Sequence, residues 1–138
     1  MKDLSRLSLN QASIQRWSLR EAIEGCARHG VPYIGIWRDK LAAQSLAETR
    51  RQLGDAGVRI SSVCRGGFFS APSKVDREAA LSDNRRAIED CAAIGAPVLV
   101  LVCGPARGQT LAEARANVYD GICALAPFAA QLTCGIRM

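Results

Sequence analysis

The chain has 138 residues, of which 49% are hydrophobic and 22% are charged, and its formal net charge is +5. These values are typical of a single globular domain and exclude a disordered chain. No hydrophobic stretch reaches the length of a membrane span and no secretory signal pattern opens the chain, so we expect a cytoplasmic protein without membrane contacts. The basic residues are scattered rather than clustered with aromatic residues, which argues against nucleic-acid binding.

Helix-ending glycines followed by aliphatic runs divide the chain into repeated units. Gly30, Gly57 and Gly95 each precede such a run by one or two residues, and Gly135 opens a further copy. Glycine commonly follows a helix because it adopts positive φ without a Cβ penalty. The chain therefore resembles a βα array truncated at the start of a fifth strand. The strands are predicted at residues 7–10, 33–37, 58–64 and 98–103.

Capping boxes mark the starts of three of the four predicted helices. In this motif a Ser or Thr side chain and a Glu three residues later satisfy free helix N–H groups. The remaining helix is predicted from Asp76 to Ala93, and Pro127 is expected to kink or restart the last helix. The predicted boxes are Ser18 with Glu21, Ser45 with Glu48, and Thr110 with Glu113.

Four parallel strands that alternate with four helices predict an α/β fold, since right-handed crossovers return each strand parallel to the one before. The fourth strand is continuously aliphatic, which predicts burial on both of its faces. Two architectures fit this order, and composition alone does not separate them. One is a (β/α)4 half of a (β/α)8 barrel with helices outside, and the other is an open doubly wound sheet.

The six cysteines are predicted to be reduced. They form no C-x-x-C pair, and several fall at apolar helix or strand positions, where a free thiol acts as a small hydrophobic group. A disulfide framework or a zinc site would require closer spacing. This use of cysteine agrees with a cytoplasmic setting. The cysteines are Cys26, Cys64, Cys91, Cys103, Cys123 and Cys134.

In both architectures ligands bind at the carboxyl ends of the strands, which we call the mouth. Arg65-Gly66-Gly67 is the most suggestive segment there, because glycines allow close approach of the backbone and arginine offers a fork of donors to anionic oxygens. Trp37 offers an apolar wall to a sugar ring, and Asn10 offers hydrogen bonds. The predicted substrate-binding residues are Asn10, Trp37, Arg38, Arg65, Gly66, Gly67, Cys103 and Gly104.

Residues that acid–base chemistry would need are scarce in this set. Gln11, Asp39, Lys40 and Phe68 also follow strand ends, but Asp39 is a single carboxylate and not an acid–base pair. The only histidine, His29, falls in the last turn of the first helix, at the end of the sheet opposite the mouth. Charge complementarity with the helix C-terminus accounts for it without a ligand.

Segments at the strand ends resemble, in order, the N-terminal half of the xylose-isomerase-like barrel superfamily, specifically its sugar phosphate isomerase/epimerase group. A helical stretch, DNRRAI at 83–88 followed by AAIGA at 92–96, also resembles the third helix of that group. The likeness covers essentially the whole chain and favours the half-barrel over the open sheet. The strand-end segments are LSLNQ at 7–11, IGIWRDK at 34–40, SVCRGGFF at 62–69 and VLVCG at 100–104.

The resemblance implies metal-dependent chemistry in full-length relatives. Mn or Mg polarises the sugar oxygens, and two carboxylates move a proton beside a carbonyl. The family's metal ligands belong to strands five to eight, so the resemblance supplies no catalytic residue, metal ligand or cofactor for this chain. It implies a small-molecule sugar or sugar phosphate as the ligand. A nuclease branch of the superfamily uses histidines after strands two and three. This chain has Trp37, Arg38 and Arg65 there instead, which argues against a nuclease.

Three hypotheses follow from the sequence. The chain contributes the N-terminal portion of an isomerase or epimerase; it is a non-catalytic half-barrel for binding or assembly; or it is a truncation product without independent activity. An open half-barrel predicts self-association or binding of a complementary half-barrel. We expect its edges at strands one and four and a concave face of Leu, Val and Ile side chains to drive this association.

Overall fold

The structure is a computed structural model that describes residues 3–138, and its five parallel strands form one sheet in the order β1-β2-β3-β4-β5. The order never reverses, as a doubly wound sheet would require, so the predicted α/β half-barrel is confirmed. The strands are β1 (Ser8–Asn10), β2 (Tyr33–Trp37), β3 (Arg59–Gly67), β4 (Val98–Val102) and β5 (Gly135–Arg137). The helices are α1 (Leu19–Arg28), α2 (Arg38–Leu41), α3 (Leu46–Ala56), α4 (Lys74–Ile94) and α5 (Leu111–Gln131).

Two helical segments and the length of β3 were not predicted. A 3-10 helix, Gln11–Ile14, follows β1, and the short helix α2 follows β2 directly. β3 continues three residues beyond its predicted end because Gly66 and Gly67 pair with Leu101 and Val102 of β4. The segment Arg65-Gly66-Gly67 is therefore part of the sheet rather than a loop.

The fifth strand forms and changes where the sheet ends. Gly135 pairs with Val98, and the pairing continues to Arg137 opposite Val100. The open edges of the described chain are therefore β1 and β5, and the predicted open edge at strand four is wrong. The fifth strand supplies the hydrogen-bonding partner that β4 would otherwise lack.

The core lies between the sheet and the helices, and the other sheet face is open. Ile36, Val63 and Leu99 form one aligned row and are fully buried. On the open face, Asn10 of β1 aligns with Gly35 of β2, which in turn aligns with Ser62 of β3. Side chains alternate along a strand, so the large aliphatic residues of β1–β3 point to the helices. The predicted aliphatic concave face is wrong for these three strands.

The fourth strand is buried on one face only, although burial on both faces was predicted. Leu99 and Leu101 are buried against the helix layer, whereas Val98, Val100 and Val102 are only half-buried. Burial on both faces was expected from the continuous aliphatic run, but the open side of this sheet lacks a covering layer in residues 3–138. The three valines form the aliphatic part of the open face.

The helices begin largely as predicted. The first and third capping boxes form completely. The second forms only in part: Ser45 Oγ accepts the Glu48 N–H, but the Glu48 carboxylate instead binds Arg20 at 3.0 Å and Arg51 at 2.7 Å. Helix α5 runs without a break through Pro127, so the predicted restart is wrong.

All six cysteines are free thiols. Cys26, Cys91 and Cys134 are buried, whereas Cys103 and Cys123 are exposed, so the predicted role as a small hydrophobic group does not hold for these two. Within residues 3–138, no helix combines the length and the apolar character needed to cross a membrane.

Candidate functional site

Side-chain hydrogen bonds join the carboxyl ends of β1 and β2. Asn10 Oδ1 accepts the Trp37 Nε1–H at 2.9 Å and the Ala12 backbone N–H at 3.0 Å. Fully buried Gln11 accepts the backbone N–H of Trp37 through its Oε1, also at 2.9 Å. The indole is therefore held at the mouth from both its ring nitrogen and its backbone. Gln11 anchors it, a role that the sequence alone did not assign.

Arg65 lies beside two aromatic rings at the same carboxyl end of the sheet. Its guanidinium carbon is 5.6 Å from the centre of the Trp37 ring and 5.4 Å from that of Phe68. Both distances are within the range of cation–π attraction. Arg65 is exposed and forms none of the salt bridges found within residues 3–138. Its charge is thus positioned without being neutralised.

Arg38 also lines the mouth, but its guanidinium is directed toward α4. Its Nη1 and Nη2 donate to the two carboxylate oxygens of Asp83 at 2.7 and 2.9 Å. The bonds from Arg38 hold the pKa of Asp83 below its ordinary value, against the effect of partial burial. Arg38 Nη1 also lies 3.4 Å from the Arg65 carbonyl oxygen. Arg38, the first residue of α2, therefore connects α2 to β3 and α4. Its role as a substrate ligand stays a prediction.

Gly66 and Gly67 are required by internal packing. A Cβ on Gly66 would overlap Asn84 Oδ1, and one on Gly67, whose φ is 98°, would overlap the Val102 backbone. Buried Asn84 accepts the Gly67 N–H at 2.6 Å and donates to the Gly67 carbonyl at 2.9 Å. The predicted close approach to a ligand is therefore not needed to explain these glycines. The stretch DNRRAI at 83–88 contains Asn84, but the sequence alone assigned this residue no role, because its partner Gly67 is distant along the chain.

Cys103 and Gly104 border a second cavity of about 300 Å³ beside α5, separate from the Trp37–Arg65 pair. Its lining is mainly apolar, and Cys103 Sγ lies 3.8 Å from Met138 Sδ. Gly104, with φ of 83°, lies close to Phe68 and to Ser70 Oγ. Phe68 is thus the link between the two parts of the mouth. This cavity is also lined by Leu111, Ala114, Val118, Tyr119 and Ile122.

The first part of the mouth is an open groove of about 390 Å³, which we call the mouth groove. Burial raises the pKa of the Cys64 thiol, which lines this groove, and Arg65 only partly opposes this effect. The thiol is therefore protonated at neutral pH. His29 caps the C-terminus of α1, shortly before β2 begins, and lies at the opposite end of the sheet. The mouth groove is lined by Trp37, Arg38, Asp39, Cys64, Arg65 and Phe68.

Within residues 3–138, no group of three His, Cys, Asp or Glu side chains is placed to hold a metal ion. Asp39, the carboxylate in the mouth groove, is flanked in sequence by Arg38 and Lys40. These residues do not fit the oxygen-rich coordination that Mn or Mg requires.

The family profile described as "Xylose isomerase-like TIM barrel" matches residues 23–137. The chain belongs to this family. It resembles the protein SMc04130 from Sinorhizobium meliloti 1021, with 39% sequence identity and a TM-score of 0.91. The match covers 97% of this chain and 50% of the S. meliloti chain, so the chain spans about half the length of that relative. None of the curated proteins matches the chain.

More distant solved structures share the fold. A D-psicose 3-epimerase crystallised in the presence of D-fructose is 17% identical, with a TM-score of 0.79 over 94% of this chain and 50% of its own. The IolI protein with a bound zinc atom is 19% identical, with a TM-score of 0.82 over 94% and 49%. At these identities the likeness shows the xylose isomerase-like fold alone.

Proposed function

We propose that this chain forms the N-terminal half of a sugar isomerase or epimerase barrel and contributes part of its substrate mouth. The observation that carries this proposal is the xylose isomerase-like family match over residues 23–137. The match of nearly the whole chain to half of a 39% identical relative supports the half-barrel. The preformed Asn10–Trp37–Arg65 arrangement supports it, because it lies at the carboxyl ends of the strands, where ligands of such barrels bind. The ligand is a sugar or a sugar phosphate.

The mouth residues have separate roles in this proposal. Trp37 faces an apolar side of the sugar ring, and Asn10 donates to a hydroxyl through the amide nitrogen that its bonds to Trp37 and Ala12 leave free. Arg65 donates hydrogen bonds to the most electron-rich substituent of the sugar. Cys103 and Gly104 form the far border of the mouth, across Phe68.

The two halves of such a barrel divide the work. This chain binds and orients the sugar, whereas proton transfer and metal binding belong to residues of the complementary half. We therefore expect the chain alone neither to isomerise ketoses nor to bind Mn²⁺ stoichiometrically in calorimetric titration. A micromolar Mn²⁺ site in the chain alone would contradict this division.

A hybrid barrel tests the proposed function. Residues 1–138 are fused to the C-terminal half of the S. meliloti protein, and the product is assayed for isomerisation and epimerisation of a panel of ketoses with Mn²⁺. The intact S. meliloti protein and the unfused chain are the positive and negative controls. We expect the hybrid to regain any activity that the intact relative shows. A folded but inactive hybrid, beside an active relative, would contradict the proposal.

A non-catalytic module for binding or assembly is the second candidate. It is favoured by the two open edges, β1 and β5, because unpaired edge strands readily pair with another chain. This alternative predicts that the chain binds a sugar or a partner equally well with and without the second half. It also predicts that completing the barrel adds no activity.

A further inference from the structure

We propose that the mouth groove selects an anionic carbohydrate, a sugar carboxylate or a sugar phosphate, and that Arg65 binds the anionic group. This inference rests on the proposed function, because it names the ligand class of the same mouth. Of the two arginines that line it, Arg38 is neutralised by Asp83, whereas Arg65 forms no salt bridge within residues 3–138.

The position of Arg65 suits recognition of an anion. The rings of Trp37 and Phe68 approach its guanidinium at 5.6 and 5.4 Å and restrict its motion, and Arg38 holds its carbonyl oxygen. A guanidinium restricted in this way loses less conformational entropy on binding than a free side chain. Its planar fork of N–H donors matches the paired oxygens of a carboxylate or phosphate.

The rest of the groove suits the carbohydrate portion. Asp39, the carboxylate that lines the groove, accepts hydrogen bonds from hydroxyl groups and would repel a second anion. The protonated Cys64 thiol adds no charge. The groove therefore fits a ligand that carries one anionic group and several hydroxyls better than it fits a free polyanion or a neutral sugar.

Tryptophan fluorescence can test this assignment, because the chain has two tryptophans and only Trp37 lies in the groove. In a Trp17→Phe background, Trp37 emission is titrated with D-fructose, D-fructose 6-phosphate, D-gluconate and inorganic phosphate. We expect the two anionic sugars to bind roughly tenfold more tightly than fructose, with inorganic phosphate weaker than either. Higher salt should weaken the binding of the anionic sugars and leave fructose unaffected.

Variants at Arg65 decide whether this residue is responsible. Arg65→Gln should remove the preference for anions and keep fructose binding, and Arg65→Lys should restore the preference only in part. Arg85→Gln, which removes an exposed charge on α4, is the matched control and should change nothing. Equal binding of fructose and fructose 6-phosphate to the parent chain would overturn the inference and leave the sugar mouth intact. Absence of binding by all four probes would overturn both. Tighter binding of D-fructose 6-phosphate than of D-gluconate identifies a phosphosugar as the ligand, and the reverse order identifies a sugar acid.

Discussion

At the scale of single residues, Gly67 shows how tightly the mouth is built. Its φ of 98° is a conformation that L side chains rarely adopt, and its Cα faces the backbone of Val102. Replacing Gly67 with Ala should therefore lower the free energy of unfolding by about 2–4 kcal/mol, since backbone strain adds to a steric overlap. Chemical denaturation measures this change.

Gly30→Ala is the matched control for that experiment. Gly30 also has a positive φ, 67°, but no atom lies within 4 Å of the position its Cβ would take. This variant should lower the free energy of unfolding by only about 1 kcal/mol, because backbone strain acts there without a steric overlap. Equal losses in the two variants would show that the approach of Gly67 to β4 is not a close contact.

The Arg38–Asp83 pair predicts a pH dependence. Arg38 holds the pKa of Asp83 below its ordinary value of 3.8. A carboxylate with a lowered pKa stabilises the fold above its unfolded pKa, and this stabilisation is lost as the pH falls through the lower folded pKa. At pH 7, Asp83→Asn should destabilise by about 1 kcal/mol, because the carboxylate is partly exposed and screened.

Urea denaturation across pH 2–7 measures this effect as the difference between Asp83→Asn and the parent. The difference should shrink once the pH falls below about 4, where the Asp83 carboxylate of the unfolded chain is protonated. Glu78→Gln, at the exposed Lys74–Glu78 pair, should change stability little at any pH. A difference for Asp83→Asn that stays constant down to the lowest pH would contradict the ion pair.

At the scale of elements, Asn84 connects α4 to the end of β3. Its amide bonds both backbone groups of Gly67 and donates to the Ala80 carbonyl at 2.8 Å. Asn84→Ala leaves the Gly67 N–H and C=O buried without a partner and should cost about 2–4 kcal/mol in urea denaturation. Ser82→Ala, at an exposed position on α4, should be nearly neutral. Similar stability of the two variants would contradict this connection.

The alternation of elements could be predicted from the sequence, because helix-ending glycines and capping boxes are local signals. The location of the mouth could be predicted for the same reason, since it lies at the carboxyl ends of the strands. The hydrogen-bonding partners of the mouth residues could not be predicted. Arg38 bonds to Asp83, and the backbone of Gly67 bonds to Asn84, and in each case the two residues are far apart in the chain. The length of β3 and the partial second capping box depend on such contacts as well.

At the scale of the whole molecule, the open edges predict association. β1 and β5 each present unpaired backbone groups on one side, and the valines of β4 lie on the open face. We expect the isolated chain to self-associate at micromolar concentration, as a dimer or in larger assemblies. Sedimentation velocity over a concentration series measures this. A strictly monomeric chain with cooperative thermal unfolding would contradict it.

A variant on α5 separates the sheet edges from the helix layer as the cause. Leu111 and Tyr119 are 61% and 69% exposed. The double variant Leu111→Glu/Tyr119→Glu adds charge to that helix and leaves β1 and β5 unchanged. Association should persist in this variant. Its loss would assign association to the surface of α5 rather than to the sheet edges.

If this half of the barrel supplies part of the substrate mouth, a crystal structure of the hybrid barrel with bound D-fructose should show it. We expect the sugar to lie against the Trp37 ring, within hydrogen-bonding distance of Asn10 or Arg65. A sugar that contacts only residues of the added half, or one that binds near His29 at the opposite end of the sheet, would contradict it.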